Sequence, residues 1–523
     1  MRRHRLLLVG SMVAAGVLAS AAACTSSDRY VVVTVDARAA VHDAKAISVA
    51  LSNTGTTRMD NLELRDHAFP VTFSISAPGR TGDLAITIDA LDANGAVVGH
   101  GSAATTVDAA VAKVMLDSTD FVVNTDYAGD QFPTDNFEAG GFQVAAQPDG
   151  TWTAVFADGC PTNSCSLFAR RFDKTGKALD TQAAAGTNAF TVTARPTSSV
   201  ATPAVASGQA TSVVLWNFSD VGTSTASGVA CRALDATGRL GNDQTTLDTL
   251  GAYVVSVVPL ASGSFAASWR ILNASVIDEL HTAIVKPDCS ITGPVQLIAK
   301  GNVVADLLHR GAVASSAERV LFAWSTNGDL HARVASSAGV FATVDTMLVP
   351  KTATDDIESV RVAAAPGGGF VVGLRWADTA TATGNGRIEL RQLSAAGALV
   401  GGPALVTDKA SSESDASHAF TMASRADGTV LVAWHTCGTL GDGNQCGVFG
   451  RIMRATGEAV TDAFAIPTTT AGDQQLPSVA ALPDGFVAVW SDASAKAPDI
   501  SGRSVRARIL YPPSLPPTPP GGD

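Results

Sequence analysis

Seven copies of one short pattern run from about residue 130 to residue 510, and this periodicity constrains the fold more than any other feature of the chain. Each copy is a strand, a tight turn and a second strand that ends in an aromatic. The last copy shows it best: Leu476 to Leu482, the turn Pro483-Asp484-Gly485, then Phe486-Val487-Ala488-Val489-Trp490. The aromatics in register are Phe156, Trp216, Trp269, Trp324, Trp376, Trp434 and Trp490, spaced by 52 to 60 residues. A fixed period of this size, with room for four short strands, marks a propeller blade. A ring of the same position repeated seven times fills the space between blades, so these aromatics read as core.

A second marker supports the blade. A small residue followed by Gly recurs 15 to 24 residues after an aromatic, at Gly176, Gly238, Gly293, Gly339, Gly397 and Gly457. These read as turns between third and fourth strands. The seventh repeat has none, because its third strand, Ser504–Leu510, runs into a proline tail. The missing strand is found upstream. Phe121-Val122-Val123-Asn124, followed by Ala128-Gly129-Asp130-Gln131, resembles Phe464-Ala465-Ile466-Pro467, followed by Ala471-Gly472-Asp473-Gln474. Residues 120–124 would then complete blade seven and close the ring, which removes two sheet edges. The propeller is expected over 119–511.

The ends have other jobs. Arg2, Arg3 and Arg5 precede the apolar run Leu6 to Ala23, so residues 1–23 read as a signal peptide. Ala21-Ala22-Ala23-Cys24 resembles the lipobox of bacterial lipoproteins, which implies acylation of Cys24, a tether over 24–28 and a lipid anchor in the cell envelope. Residues 29–117 lack the repeat and alternate as short strands, with a hairpin turn at Asn94-Gly95. They are expected to form a small immunoglobulin-like β-sandwich that acts as a spacer. Residues 512–523, rich in proline, form an extended solvated tail. The fold class expected is all-β: a seven-bladed β-propeller preceded by the sandwich.

The formal net charge is −12, with no basic patch, which argues against nucleic acid and anionic membrane surfaces as partners. If Cys24 is lipidated, six of the 7 cysteines remain, an even number that suits an oxidising compartment. Cys160 and Cys165 fall in one loop, as do Cys437 and Cys446, so each pair is expected to close its own loop. Cys231 and Cys289 lie in consecutive repeats and would cross-link neighbours. A zinc site is disfavoured by the lack of two-residue cysteine spacing.

The pattern Pro-[small]-Val-Ala-x-Leu-x-Asp-Gly-Phe-Val-x-x-Trp resembles a repeat of large secreted and surface proteins of bacteria. It is clearest in repeats one, six and seven, and repeats three and four lack the turn Asp. The resemblance implies a propeller-like fold and an extracellular setting, not an activity.

Several chemistries are disfavoured. The Asp-Gly turns at Asp149, Asp427 and Asp484 read as hairpin turns rather than calcium loops, so no cofactor is expected and calcium is a weak alternative. Asp173-Lys174-Thr175-Gly176-Lys177 resembles a turn of quinone-dependent propeller dehydrogenases but lacks the Trp that follows it there. Pro148-Asp149-Gly150-Thr151-Trp152 departs from the sialidase Asp box. The sequence contains no nucleophile elbow, zinc-protease helix or phosphate loop.

In a propeller, second-to-third strand loops and blade-to-blade connections share one face. Here that face is variable and collects acids, Glu358 and Asp492 among them. Binding residues concentrate on such loops. The candidate binding face is Asp130, Asp158, Asp355, Asp356, His435, Asp442 and Asp473, with His418 a further candidate beside His435. The expected function is that of a monomeric, surface-anchored, non-catalytic binding or adhesion module for an extracellular protein or polysaccharide. The alternative is a propeller-type carbohydrate-active enzyme with carboxylates in the channel.

Overall fold

The computed structural model describes residues 29–124, 142–158, 166–179, 189–193, 198–220, 227–241, 244–249, 252–273, 277–302, 309–316, 318–378, 386–410, 420–437, 443 and 445–513. Cys24, Asp130, Asp442, His418 and the Cys160–Cys165 pair lie outside the described residues. The chain divides into two compact units, Met1–Asp120 and Phe121–Asp523.

The first unit has strands β1 (Tyr30–Ala37), β2 (Ala46–Asn53), β3 (Thr56–Glu63), β4 (Val71–Ser76), β5 (Asp83–Leu91), β6 (Val97–Thr106) and β7 (Val111–Ser118). Buried residues alternate along β1, β2, β5 and β7, as half-buried strands require. Their inward faces share one core that includes Val33, Ile47, Phe73, Ile88 and Leu116. The sequence predicts two facing sheets here, and the strand pairing differs. All seven strands join in one sheet, in the order β3-β2-β5-β6-β7-β1-β4. The junction is β6 on β7, where Gly99 and His100 pair with Ser118 and Asp117. Gly101 makes the close approach possible: a Cβ there would sit 2.3 Å from the Met115 carbonyl oxygen.

The second unit is a seven-bladed propeller, each blade a four-stranded antiparallel sheet. From the channel outward, blade 1 is Phe142–Ala146, Trp152–Asp158, Ser166–Phe172 and Phe190–Thr193. Blade 2 is Ser198–Ser207, Thr211–Asp220, Ser227–Asp235 and Thr245–Asp248. Blade 3 is Ala252–Pro259, Phe265–Asn273, Ile277–Val285 and Ile291–Asn302. Blade 4 is His309–Ser316, Arg319–Thr326, Asp329–Ser336 and Thr346–Val349. Blade 5 is Asp355–Ala364, Phe370–Asp378, Gly386–Leu393 and Leu399–Ala410. Blade 6 is Phe420–Ser424, Thr429–Cys437, Cys446–Arg454 and Phe464–Ala465. Blade 7 takes Gln474–Ala481, Phe486–Asp492 and Ser504–Leu510 from the end of the chain, and its fourth strand is β8 (Phe121–Val122).

Closure is thus made by residues far apart in sequence. Phe121 and Val122 pair with Ala507 and Arg506, and the Val123 amide donates to the Val505 carbonyl at 2.7 Å. The Phe121 ring then packs on Trp152 and Phe172 of blade 1, at 6.3 and 5.9 Å between centroids.

The repeated aromatics are at most 2% exposed. From Trp216 onward each sits in the apolar cluster that its blade shares with the preceding one. A second repeated contact appears only in three dimensions. Arg170, Arg232, Arg333, Arg451 and Arg508 occupy one position of the third strand in blades 1, 2, 4, 6 and 7. Each donates to a carbonyl on or just after the last strand of the preceding blade: Val123, Val192, Ile298, Val406 and Ile466, at 2.6 to 3.0 Å. These arginines clasp blade to blade. The same position is Ala283 in blade 3 and Glu389 in blade 5.

Candidate functional site

Two faces of the ring differ in chemistry. On the short-turn face, Asp149, Asp173, Asp235, Asp288 and Asp427 each accept the hydroxyl and amide of a Thr or Ser two residues on, at 2.5 to 2.9 Å. The hydroxyl bond is the largest influence that holds the carboxyls of Asp149, Asp235 and Asp288 below their ordinary range. At Asp427 burial pushes upward, and the Thr429 bonds together with Arg425 and Arg454 outweigh it. These carboxylates are consumed in building turns. Among the described residues no group of three or more His, Cys, Asp or Glu gathers to hold a metal ion.

The opposite face carries the irregularities. The first strands of blades 2, 3, 4, 5 and 7 shift register near their starts, at the channel mouth. An innermost strand has no partner on its channel side, so an extra residue or a proline such as Pro477 is tolerated there. In blade 5 the shift falls between Ile357 and Ser359, and it takes Glu358 out of the ladder.

Beneath Glu358 lies Arg375. The residue before the repeated aromatic is Val155, Leu215, Ser268, Ala323, Ala433 or Val489 in the other blades, and Arg375 in blade 5 alone. Its side chain is 1% exposed and ion-paired with Glu358, which is 30% exposed. Gly386 lies close by, where a Cβ would sit 2.6 Å from the Trp376 carbonyl oxygen and 3.4 Å, ordinary contact, from the Arg375 guanidinium carbon. Burial lowers the Arg375 pKa to about 10, so it stays charged at neutral pH. Arg361, on the first strand, is lowered to about 10 by the same cause. It donates to the Val360 carbonyl at 2.9 Å and lies 5.6 Å above the Phe420 ring of blade 6.

Two of the surrounding acids, Asp355 and Glu389, are paired. Arg387 meets Asp355 at 2.6 Å and stacks 4.6 Å over Trp376. Glu389, which replaces the clasp arginine, meets Arg391 at 2.9 Å. Asp356 packs against the blade 4 hairpin, where a Cβ on Gly328 would fall 2.5 Å from its Oδ1. Asp356 makes no ion pair among the described residues. Blade 5 therefore carries four arginines and four acids, with Asp355, Asp356 and Glu358 at the start of its innermost strand, at the channel mouth.

The expected face is only partly assembled there. Asp355 and Asp356 belong to the blade 5 cluster. His435 sits on the next blade at the end of its second strand, 6% exposed, just before the Cys437–Cys446 disulfide. Asp473 is a tether: it accepts the Cys446 amide at 3.1 Å and meets Arg503 at 3.3 Å. Asp158 ends the second strand of blade 1, opposite Ser166. Asp492 is wholly buried against Arg506 at 2.7 Å, with Gln474 donating to it at 3.2 Å, so it locks blade 7 rather than meeting a ligand. Cys231 and Cys289 are bonded and join blades 2 and 3. Sequence reading missed Arg375 and Arg361. The signal was present: one repeat position is apolar or small in six copies and charged in one.

No family model matches the chain, and no curated protein matches it. Solved structures do. An α-L-arabinanase of Penicillium chrysogenum, complexed with arabinobiose, is 12% identical, with a TM-score of 0.42, over 75% of this chain and 99% of that one. The polysaccharide lyase Uly1 is 8% identical, with a TM-score of 0.45, over 76% and 99%. A protein of unknown function from Dyadobacter fermentans is 12% identical, with a TM-score of 0.42, over 60% and 95%. The expectation of a non-catalytic binding or adhesion module is not carried forward: the similar structures include carbohydrate-active enzymes, the class of the alternative expectation, while the likeness itself shows the fold alone.

Proposed function

We propose that the chain is a propeller-type carbohydrate-active enzyme that works at the channel mouth over blade 5, with Glu358 as its ionised carboxylate. The observation that carries this reading is the Arg375–Glu358 pair. A buried charge is costly, and six other blades do without one at that position. Perturbed charges cluster at functional sites.

The chemistry follows from the environment. Cleavage of a glycosidic bond passes through a cationic, oxocarbenium-like state flanked by two carboxyl groups. One must remain ionised to stabilise or attack the anomeric carbon. Glu358 is suited to that role, because a buried guanidinium favours its charged form. Asp355 is ion-paired with Arg387, which leaves Asp356 as the second carboxyl of the strand and the proposed partner of Glu358.

The test is a screen of the mature protein against neutral and acidic polysaccharides, arabinan and ulvan among them. Released reducing ends report hydrolysis, and unsaturated uronate reports lyase chemistry. Glu358→Gln should reduce turnover at least about a hundredfold. Unchanged turnover in that variant would overturn the assignment.

The location is part of the same proposal: an exported protein, acylated at Cys24, with the first unit as a spacer. Cys24→Ser should move the protein from the membrane to the soluble fraction, and a mature N-terminus elsewhere by mass spectrometry would refute it.

A further inference from the structure

The first unit carries a cavity of about 560 Å³ between the loop that follows β1 and the loop that follows β3. That volume falls within the range of small-ligand sites. Its apolar residues Val41 and Leu64 are buried, and Phe69 is half-buried beside them. Arg38, Lys45, Arg65 and His67 line the rest, against Asp43 and Asp66. Asp43 lies 2.8 Å from His42, Arg38 lies 3.6 Å from Asp117 and Arg65 lies 3.9 Å from Glu63. The lining itself carries three cations, Arg38, Lys45 and Arg65, against two carboxylates, in a chain whose net charge is −12.

Positive φ occurs at the same place, at Asp43 (60°) and Arg65 (51°). Arg65 holds it in the tight turn that the His67 amide closes on the Leu64 carbonyl at 2.9 Å. For arginine this conformation costs roughly 1–2 kcal/mol relative to ordinary backbone.

The cavity does not offer a strand edge. The Lys45 amide donates to the Leu91 carbonyl at 2.7 Å, and the Leu64 amide to the Lys45 carbonyl at 2.8 Å. An extended peptide would find these amides already bonded. A compact ligand with an apolar face and an anionic group fits better. We propose that this cavity is a binding site for a carboxylate-bearing oligosaccharide of about two or three rings, whose ring face lies on Phe69 and whose carboxylates meet Arg65 and Lys45. The site lies wholly within the first unit and uses none of the blade 5 residues.

Trigalacturonate titrated calorimetrically into the mature full-length protein tests this, with maltotriose and a hexa-aspartate peptide as competing classes. Arg65→Gly is the informative variant. It removes the cation and relieves the positive φ, so it should weaken binding about tenfold while raising the melting temperature. Lys45→Gln should weaken binding to a similar degree, and added salt should weaken it further. Glu358→Gln should leave it unchanged. The proposal is overturned if the wild type does not bind trigalacturonate, if maltotriose or the peptide binds as well, or if Arg65→Gly and Lys45→Gln bind like the wild type. Loss of binding in Glu358→Gln alone would move the site to the ring.

Discussion

The Arg375–Glu358 pair makes an asymmetric prediction about stability. Arg375 is 1% exposed and Glu358 30%. Glu358→Leu leaves a guanidinium buried without its carboxylate, a loss that costs about 3–5 kcal/mol when one partner of a buried pair is removed. Arg375→Leu leaves a carboxylate that water already reaches. It also installs the residue that blade 2 carries at that position, Leu215, which is wholly buried. Its cost should be within about 1 kcal/mol of zero, and the double leucine variant should match or exceed the wild type, as apolar replacements of buried pairs often do. Unfolding entropy near 2.1 cal/mol/K per residue, over a ring of roughly 400 residues, gives about 0.8 kcal/mol per degree. Glu358→Leu should therefore lower the ring's melting temperature by about 4 °C or more, with the double variant at or above the wild type. Calorimetry, followed in parallel by emission of the buried tryptophans, reads this directly. All three variants should lose turnover. If Arg375→Leu proved as destabilising as Glu358→Leu, the pair would be ordinary scaffold. If the double variant kept full activity, the functional reading would fail.

Other consequences follow from the closure, the crosslinks and one acid. Deleting residues 119–125 should unfold the propeller at a much lower denaturant midpoint, because blade 7 loses its fourth strand, whereas deleting 29–110 should leave the ring's midpoint nearly unchanged; equal effects would contradict closure by β8. Cys231→Ala should cost about 4 kcal/mol and Cys437→Ala less than about 3 by chain entropy, since the pairs are 58 and 9 residues apart; urea midpoints test the order. The Glu279 carboxyl is held below its ordinary value of 4.5 chiefly by the hydrogen bond from His281, against burial and with help from Lys300. A depressed carboxyl contributes stability above its unfolded pKa and loses it as pH falls through the folded one. Glu279→Gln should therefore be less stable than the wild type at pH 7, with the difference closing below pH 4.5; a difference that persisted in acid would refute the assignment.

Much of the ring was legible in the chain because its signals are local. A blade needs an aromatic at one strand position, a glycine with positive φ in a turn, and a period near 55 residues, and each can be read without knowing which strands will touch. Gly176, Gly238, Gly293, Gly339, Gly397 and Gly457 all hold positive φ in the structure. Even the displaced closing strand left a local trace, in the match of residues 121–131 to residues 464–474. Register and contact across blades are not local. Glu358 is an ordinary surface acid until a bulge removes it from the ladder, and Arg375 is an ordinary strand residue until the sheet folds over it. The clasp arginines are scattered by sequence and aligned only by strand pairing. The first unit shows the same division. Alternation established half-buried strands, but whether they form two sheets or one was decided by a short β6–β7 contact that a glycine permits. Sequence by itself determined the blade, its count and its core, because hydrophobic period and turn chemistry are properties of neighbouring residues. Tertiary structure alone decided where charge is buried, because that cost depends on which distant side chains are brought together away from water.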